Sequence, residues 1–291
     1  MSAHASFDPF ADLHELLRYP FMVSALEAGT IVAVMAAVAG WFMVLRRETF
    51  AGHTLSVMAF PGASAAALAG VPLAFGYFAS CALAAAAIAA GSRPSGRERN
   101  RSQESAVIGT VQVGGFALGF LFLSLYHGVL ESLESLLFGS YLGITHSQVE
   151  TLLGIGLATL AFFAVAGRPL LYLSVDEPLA RARGVPVRVL HTAFLLVLGL
   201  SVAATAQITG ALLVFALLVA PAAAARQLTA RISLGLLLSV AIGLAVTWIG
   251  LALSYFTDRS SGFFVTTIAF GIYLAASAVR VAKERVSVAL A

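Results

Sequence analysis

The stretch Ile232–Phe256, ISLGLLLSVAIGLAVTWIGLALSYF, decides the fold class because it contains no charged residue. About 20 consecutive apolar residues are enough for a helix to cross the roughly 30 Å hydrocarbon core of a membrane. The stretch therefore predicts a transmembrane helix.

The rest of the chain repeats this pattern. Of its 291 residues, 60% are hydrophobic and only 11% are charged, whereas about 25% of the residues of an ordinary soluble domain are charged. We predict an all-α polytopic membrane protein with about eight or nine transmembrane helices. The other predicted segments are approximately Phe21–Leu45, Thr54–Gly70, Val71–Gly91, Ser105–Tyr126, Val149–Val165, Leu190–Gln207, Gly210–Ala225 and Phe263–Val279.

Arginines cluster in alternate connections between these segments, which indicates the cytoplasmic side by the positive-inside rule. Alternation gives nine crossings, with the N-terminus outside and the C-terminus inside. The arginine-rich connections are Arg46 with Arg47, residues 93–101, residues 168–188, Arg226 with Arg231, and the tail from Arg280. The net charge of +3 thus reflects membrane topology and does not indicate a nucleic-acid partner.

Three regions follow from this topology. We predict that residues 1–20 form an N-terminal segment at the membrane interface. Residues 21–280 are predicted to form the transmembrane domain, and residues 281–291 a cytoplasmic tail. The second and seventh segments contain Pro61 and Pro221. Each is predicted to be either a broken or half-crossing helix that lines a translocation path, or a helix with a simple proline kink.

Ionisable groups in apolar segments are costly and mark functional candidates. His53 opens the second segment, and its imidazole suits zinc and other transition metals. Ser56, Met58 and Glu27 are weaker candidate ligands. His53 and Met58 are five residues apart and do not share a face of a regular helix. The alternatives are a hydrogen-bonded structural histidine at position 53, and a Glu27 that pairs with Arg18 near the interface.

A short capped helix is predicted within residues 174–186, on the cytoplasmic side. Asp176 and Glu177 precede a proline at the first turn, and Gly184 can end the helix. This pattern indicates one of two things: a plain loop helix, or a coupling helix through which a partner acts on the bundle. The main residues of a coupling helix would be Asp176, Glu177, Ala180 and Gly184. Lys283 is the only lysine, so the chain has no Walker A motif. Any ATP used must be hydrolysed by another subunit.

The order of motifs resembles one family, the integral membrane permeases of the zinc and manganese ABC importers (ABC-3 type metal permeases). The match runs from about Phe21 to Ala276. The matching motifs are RRETFAGHTL at residues 46–55, ESAVIG at 104–109, FALG at 116–119, LFGS at 137–140, DEPLARARG at 176–184, TGALLV at 209–214 and ALLVAPA at 216–222.

The resemblance implies a multi-pass permease of the bacterial inner membrane with about eight crossings, which catalyses no covalent reaction. It implies a homodimer of permeases in membrane lipid, with cytoplasmic ATP-binding subunits that dock on residues 176–184 and an extracytoplasmic metal-binding protein. The metal is cargo, and no cofactor of this chain is expected.

One departure from the family concerns the metal ligands. Where the family often has an aspartate and, four residues later, a histidine, this chain has His53 and Val57. Imidazole in place of carboxylate favours zinc over manganese. The resemblance therefore predicts zinc import with His53 as ligand. The alternatives are an ABC permease for another small ligand such as a metal chelate, and a channel without an ATPase.

Overall fold

The computed structural model describes residues 18–91, 101–126, 144–210, 213–257 and 259–289, with the backbone alone for residues 101–104 and 286–289. The predicted interfacial segment at residues 1–20 lies outside these ranges except for its last three residues. The LFGS motif at residues 137–140 also lies outside these ranges.

All regular secondary structure in the described residues is helical, as predicted. The helices are α1 (Pro20–Leu45), α2 (Thr49–Ala69), α3 (Leu73–Gly91), α4 (Arg101–Leu125), α5 (His146–Val175), α6 (Glu177–Ala182), α7 (Val187–Thr209), α8 (Val214–Leu228), α9 (Ile232–Thr257) and α10 (Ser261–Ala289).

Seven helices of the described part are long and apolar enough to cross a membrane, namely α1, α3, α4, α5, α7, α9 and α10. The chain is a multi-pass membrane protein. The two predicted segments outside this group are the two that contain Pro61 and Pro221, in α2 and α8. Helix α8 has 15 residues and at 1.5 Å per residue is about 22 Å long, shorter than the hydrocarbon core.

Helix α2 is longer than α8, with 21 residues. Both helices continue through their prolines, Pro61 and Pro221, without a break. Most side chains of α2 are buried, because α2 packs against α3, α4 and α7. The contact with α3 is close at Gly62 and Gly76, where a Cβ on either glycine would collide with the carbonyl of the other. A helix surrounded by protein needs little apolar surface, which explains its weaker hydropathy.

Helix α5 is longer than its predicted segment, Val149–Val165, and continues through Arg168 and Pro169 to Val175. At 30 residues it is about 45 Å long. It exceeds the hydrocarbon thickness, so its end carries the exposed Arg168 toward the side predicted to be cytoplasmic.

The chain forms two compact units. Unit 2 comprises Phe42–Gly139 and Leu157–Phe215, and unit 1 comprises Met1–Trp41, Ser140–Gly156 and Ala216–Ala291. In unit 1, Ser239 of α9 donates a hydrogen bond to the carbonyl of Ala37 in α1, at 3.2 Å. In unit 2, the thiol of Cys81 in α3 contacts the carbonyl of Leu55 in α2, at 3.5 Å. The predicted candidates other than Glu27 all lie in unit 2.

Candidate functional site

A tight turn places His53 in the second turn of α2. Arg47 in this turn has a left-handed backbone, with φ 59°, and Glu48 is the residue that precedes the helix. The amide of Gly52 donates to the carbonyl of Glu48 at 3.1 Å. A Cβ at position 52 would collide with the side chain of Met43, so glycine allows the two helix ends to pack closely beside His53.

The His53 ring is half-buried and meets the ring of Phe215 edge to face, with centroids 4.9 Å apart. Its Nδ1 atom is buried and has no hydrogen-bond partner in the described part of the chain. Burying a polar nitrogen without a partner is unfavourable. The contact with Phe215 orients the ring without satisfying the nitrogen, which leaves a lone pair or a proton available to a ligand.

The structure does not bring Met58 to His53. Met58 is buried and its side chain meets Gly115 of α4, where a Cβ would collide with it. It also lines an apolar cavity of about 710 Å³ between α2, α3 and α4, along with Pro61, Phe75 and Leu83. His53 does not line this cavity. The five-residue spacing thus separates the two side chains, as the helical geometry predicted.

Ser56 and Val57 are both buried. The Ser56 hydroxyl donates to the carbonyl of Gly52 at 2.9 Å, so its proton is used within the helix. Val57 is one turn after His53 and offers no ligand atom. Glu27 is exposed on α1, in unit 1. Within the described residues no group of three or more His, Cys, Asp and Glu side chains lies together.

A buried charged cluster lies beside this turn, and the sequence reasoning did not identify it. The guanidinium of Arg46 donates to Oε1 of Glu48 at 2.7 Å and 3.1 Å and lies 3.2 Å from Nδ1 of His191. It also stacks over the ring of Phe194, 4.7 Å from its centroid. The side chains of Arg46, Glu48 and His191 are only 3%, 5% and 9% exposed.

The hydrogen bonds of this cluster depend on the tautomer of the His191 ring. A guanidinium can only donate, so in the tautomer with the ring proton on Nε2 the Nδ1 atom accepts from Arg46, and the buried Nε2 has no hydrogen-bond partner in the described residues. In the other tautomer the Nδ1 proton faces Oε1 of Glu48, 3.4 Å away. The sequence signal was a charged triplet, Arg46, Arg47 and Glu48, beside an apolar segment.

The predicted capped helix is present as α6. The carboxylate of Asp176 accepts a hydrogen bond from the Leu179 amide at 2.9 Å, and a proline occupies the first turn. Glu177 pairs with Arg181 at 2.7 Å across one exposed turn. Ala180 is 2% exposed, and Gly184 has φ 78°, a left-handed conformation that suits glycine. The local structure was therefore predicted correctly from caps alone.

The turn after α6 is short and hydrogen-bonded. The amide of Val185 donates to the carbonyl of Ala180 at 3.1 Å, and the amide of Val187 donates to the carbonyl of Val185 at 2.8 Å. Pro186 then precedes α7. These bonds fix α6 to the first turn of α7, and His191 begins the second turn.

Comparisons with known proteins show the family of this chain. The sequence model of the ABC 3 transport family matches residues 18–280. The chain is 31% identical over 259 residues to the manganese transport system membrane protein MntC of Halalkalibacterium halodurans, covering 89% of this chain and 87% of that protein. It is also 31% identical over 270 residues to a probable iron transport system membrane protein of Haemophilus influenzae, covering 89% and 96%.

A solved structure has the same fold. It is PsaBC from Streptococcus pneumoniae in complex with Fab, with a TM-score of 0.78 and 26% sequence identity over 92% of this chain and 94% of that chain. The family match, the relatives and the helices that can span a membrane agree. The chain belongs to the ABC 3 transport family, as a multi-pass permease subunit of an ABC transporter and not an enzyme.

Proposed function

We propose that this permease imports a divalent transition-metal ion and that zinc is its preferred cargo. The observation that carries the proposal is the half-buried imidazole of His53, whose Nδ1 has no hydrogen-bond partner in the described residues. Relatives named for manganese and iron transport support metal as the cargo class. A neutral imidazole is a common ligand for zinc, whereas manganese prefers oxygen ligands.

Two copies of the chain would form the metal path. A zinc site usually holds four ligands, and one protomer supplies a single imidazole near Val57. A homodimer in which two His53 side chains face each other across the two-fold axis would double the nitrogen ligands. Ser56 hydroxyl oxygens, which keep their lone pairs, and water would complete the coordination.

A separate ATP-binding subunit would hydrolyse the ATP that drives transport. The exposed ion pair of Glu177 and Arg181 and the capped end at Asp176 make α6 a rigid projection on the side predicted to be cytoplasmic, suited to docking on an ATP-binding subunit. An extracytoplasmic binding protein would deliver the metal to the opposite side. Structural similarity to PsaBC supports this assembly.

Zinc uptake by cells tests the proposal. A strain lacking this permease, grown under zinc limitation, should take up less radioactive zinc, and the wild-type chain should restore uptake. His53→Ala should lower the restored uptake by at least about tenfold, the loss typical of a disturbed metal site. His146→Ala, which removes an exposed histidine at the start of α5, should restore it fully. Normal zinc uptake in the deletion strain would overturn the proposal.

A second candidate cargo is a small metal chelate. It is favoured by the buried apolar side chain of Val57 and by the lack of a three-ligand cluster in the described residues, because a chelate brings its own ligands. Uptake of a radioactive metal chelate that free zinc does not inhibit, and that survives His53→Ala, would establish this alternative.

A further inference from the structure

The buried cluster of Arg46, Glu48 and His191 joins the two elements that transport must connect. Arg46 and Glu48 belong to the turn before α2, and His191 belongs to the first turns of α7, 145 residues further along the chain. The cluster therefore ties the start of the His53-bearing helix to the helix that follows α6.

The connection is short at both ends. At 1.5 Å per residue, His53 lies about 7.5 Å from Glu48 along the axis of helix α2. On the other side, the hydrogen bonds of Val185 and Val187 leave little freedom between α6 and α7. A displacement of α6 must move the first turn of α7, and His191 with it.

The contacts of the cluster hold the Arg46 side chain in one position. Arg46 donates twice to one carboxylate oxygen and stacks on Phe194, which is fully buried, so its guanidinium is held on three sides. Charge-assisted hydrogen bonds in a buried site are stronger than neutral ones. Burying ionised groups is unfavourable unless they are paired, and a purely apolar contact would hold these two helices without that cost.

We propose that Arg46, Glu48 and His191 are positioning residues that transmit movement of α6 to the start of α2 and so couple ATP hydrolysis to the opening of the path at His53. The inference rests on the proposed function, since it needs α6 to dock on an ATP-binding subunit and His53 to lie on the path. None of the three residues needs to touch the metal. Their role is to make hydrolysis productive.

The test uses the full-length permease with its ATP-binding subunit in liposomes, with zinc uptake and ATP hydrolysis measured on the same vesicles. His191→Leu removes the nitrogen that contacts both Arg46 and Glu48 and keeps a similar volume. It should leave the ATP hydrolysis rate near the wild-type value and lower the ratio of zinc transported to ATP hydrolysed by about tenfold, a typical coupling effect. A merely structural role would lower both activities with the amount of folded protein and leave the ratio unchanged.

Two variants serve as matched comparisons. His191→Asn places an amide oxygen near the Nδ1 position and should recover most of the ratio. His146→Leu makes the same chemical change at an exposed site and should not alter it. If His191→Leu does not accumulate in membranes, the double variant Arg46→Gln/Glu48→Gln, which leaves neither of these two charges buried, should show the same fall in the ratio.

The outcomes separate the two proposals. A wild-type complex that hydrolyses ATP but moves no zinc refutes the proposed cargo. A wild-type complex that moves zinc, with an unchanged ratio in His191→Leu or in the double variant, refutes the positioning role alone.

Discussion

The two histidines near the starts of neighbouring helices have different surroundings at Nδ1. His191 is buried, its Nδ1 contacts an arginine that is itself paired with Glu48, and its Nε2 has no partner in the described residues. His53 is half-buried against an aromatic ring, and its Nδ1 has no partner in the described residues. The same side chain therefore acts as a structural tie in one place and as a candidate ligand in the other, and the difference lies in its neighbours.

The largest expected effect comes from breaking the cluster around His191. Arg46→Leu takes the guanidinium away from the buried Glu48 carboxylate, and breaking a buried ion pair from one side costs about 3–5 kcal/mol of unfolding free energy. His53→Leu should change the unfolding free energy by less than about 1 kcal/mol, as expected for a half-buried site. Thermal unfolding of the purified variants in detergent measures both. Equal losses would show that the two histidine regions do not differ in this way.

A second histidine on α2 should sharpen the contrast at His53. Val57→His places another imidazole one turn later on the same face. If His53 faces the metal path, the zinc concentration at half-maximal uptake should fall by up to about tenfold. Val57→Leu is the control for the change in packing, because it adds no ligand atom. A similar response to both variants would mean that Val57 does not face the metal.

The smallest effect is expected at α6. Asp176→Ala removes the side-chain acceptor of the helix cap and should cost about 1 kcal/mol, roughly a fivefold weaker association with the ATP-binding subunit if that helix must be formed to dock. Asp176→Asn keeps the acceptor and should bind nearly as wild type does. Co-purification of the ATP-binding subunit across a range of concentrations measures the difference. Wild-type binding by the alanine variant would argue against docking through α6.

Local patterns predicted the parts of the fold that depend on neighbouring residues. The cap of α6 could be predicted because Asp176, Glu177 and Gly184 lie within one short stretch, and the apolar runs predicted the spans. The end of α5 was predicted too early because Arg168 and Pro169 interrupt the apolar pattern, although the first turns beyond the hydrocarbon remain helical. Hydropathy alone also gives a weak signal for α2, because this helix is surrounded by other helices and needs less apolar surface.

The candidate site was less accessible to sequence reasoning. His53 was identified from its chemistry and from the family resemblance, whereas its ring packs against Phe215, which is far away in the chain. The burial of His191 depends on Arg46 across 145 residues. No local signal joins these two positions, and only the folded chain shows that His191 is enclosed.

The low hydropathy of α2 has a consequence for how the protein is made. A nascent helix enters the bilayer on its own according to its apolarity, and α2 is the long helix of the described part with the weakest claim by this measure. Its neighbours α3 and α4 follow it in the chain. They pack closely against α2 at glycines and so surround it with protein in place of lipid. We therefore expect the His53-bearing helix to be inserted stably only after α3 and α4 have been synthesised, so a nascent chain that ends before α4 should hold α2 in the membrane less firmly than a longer one.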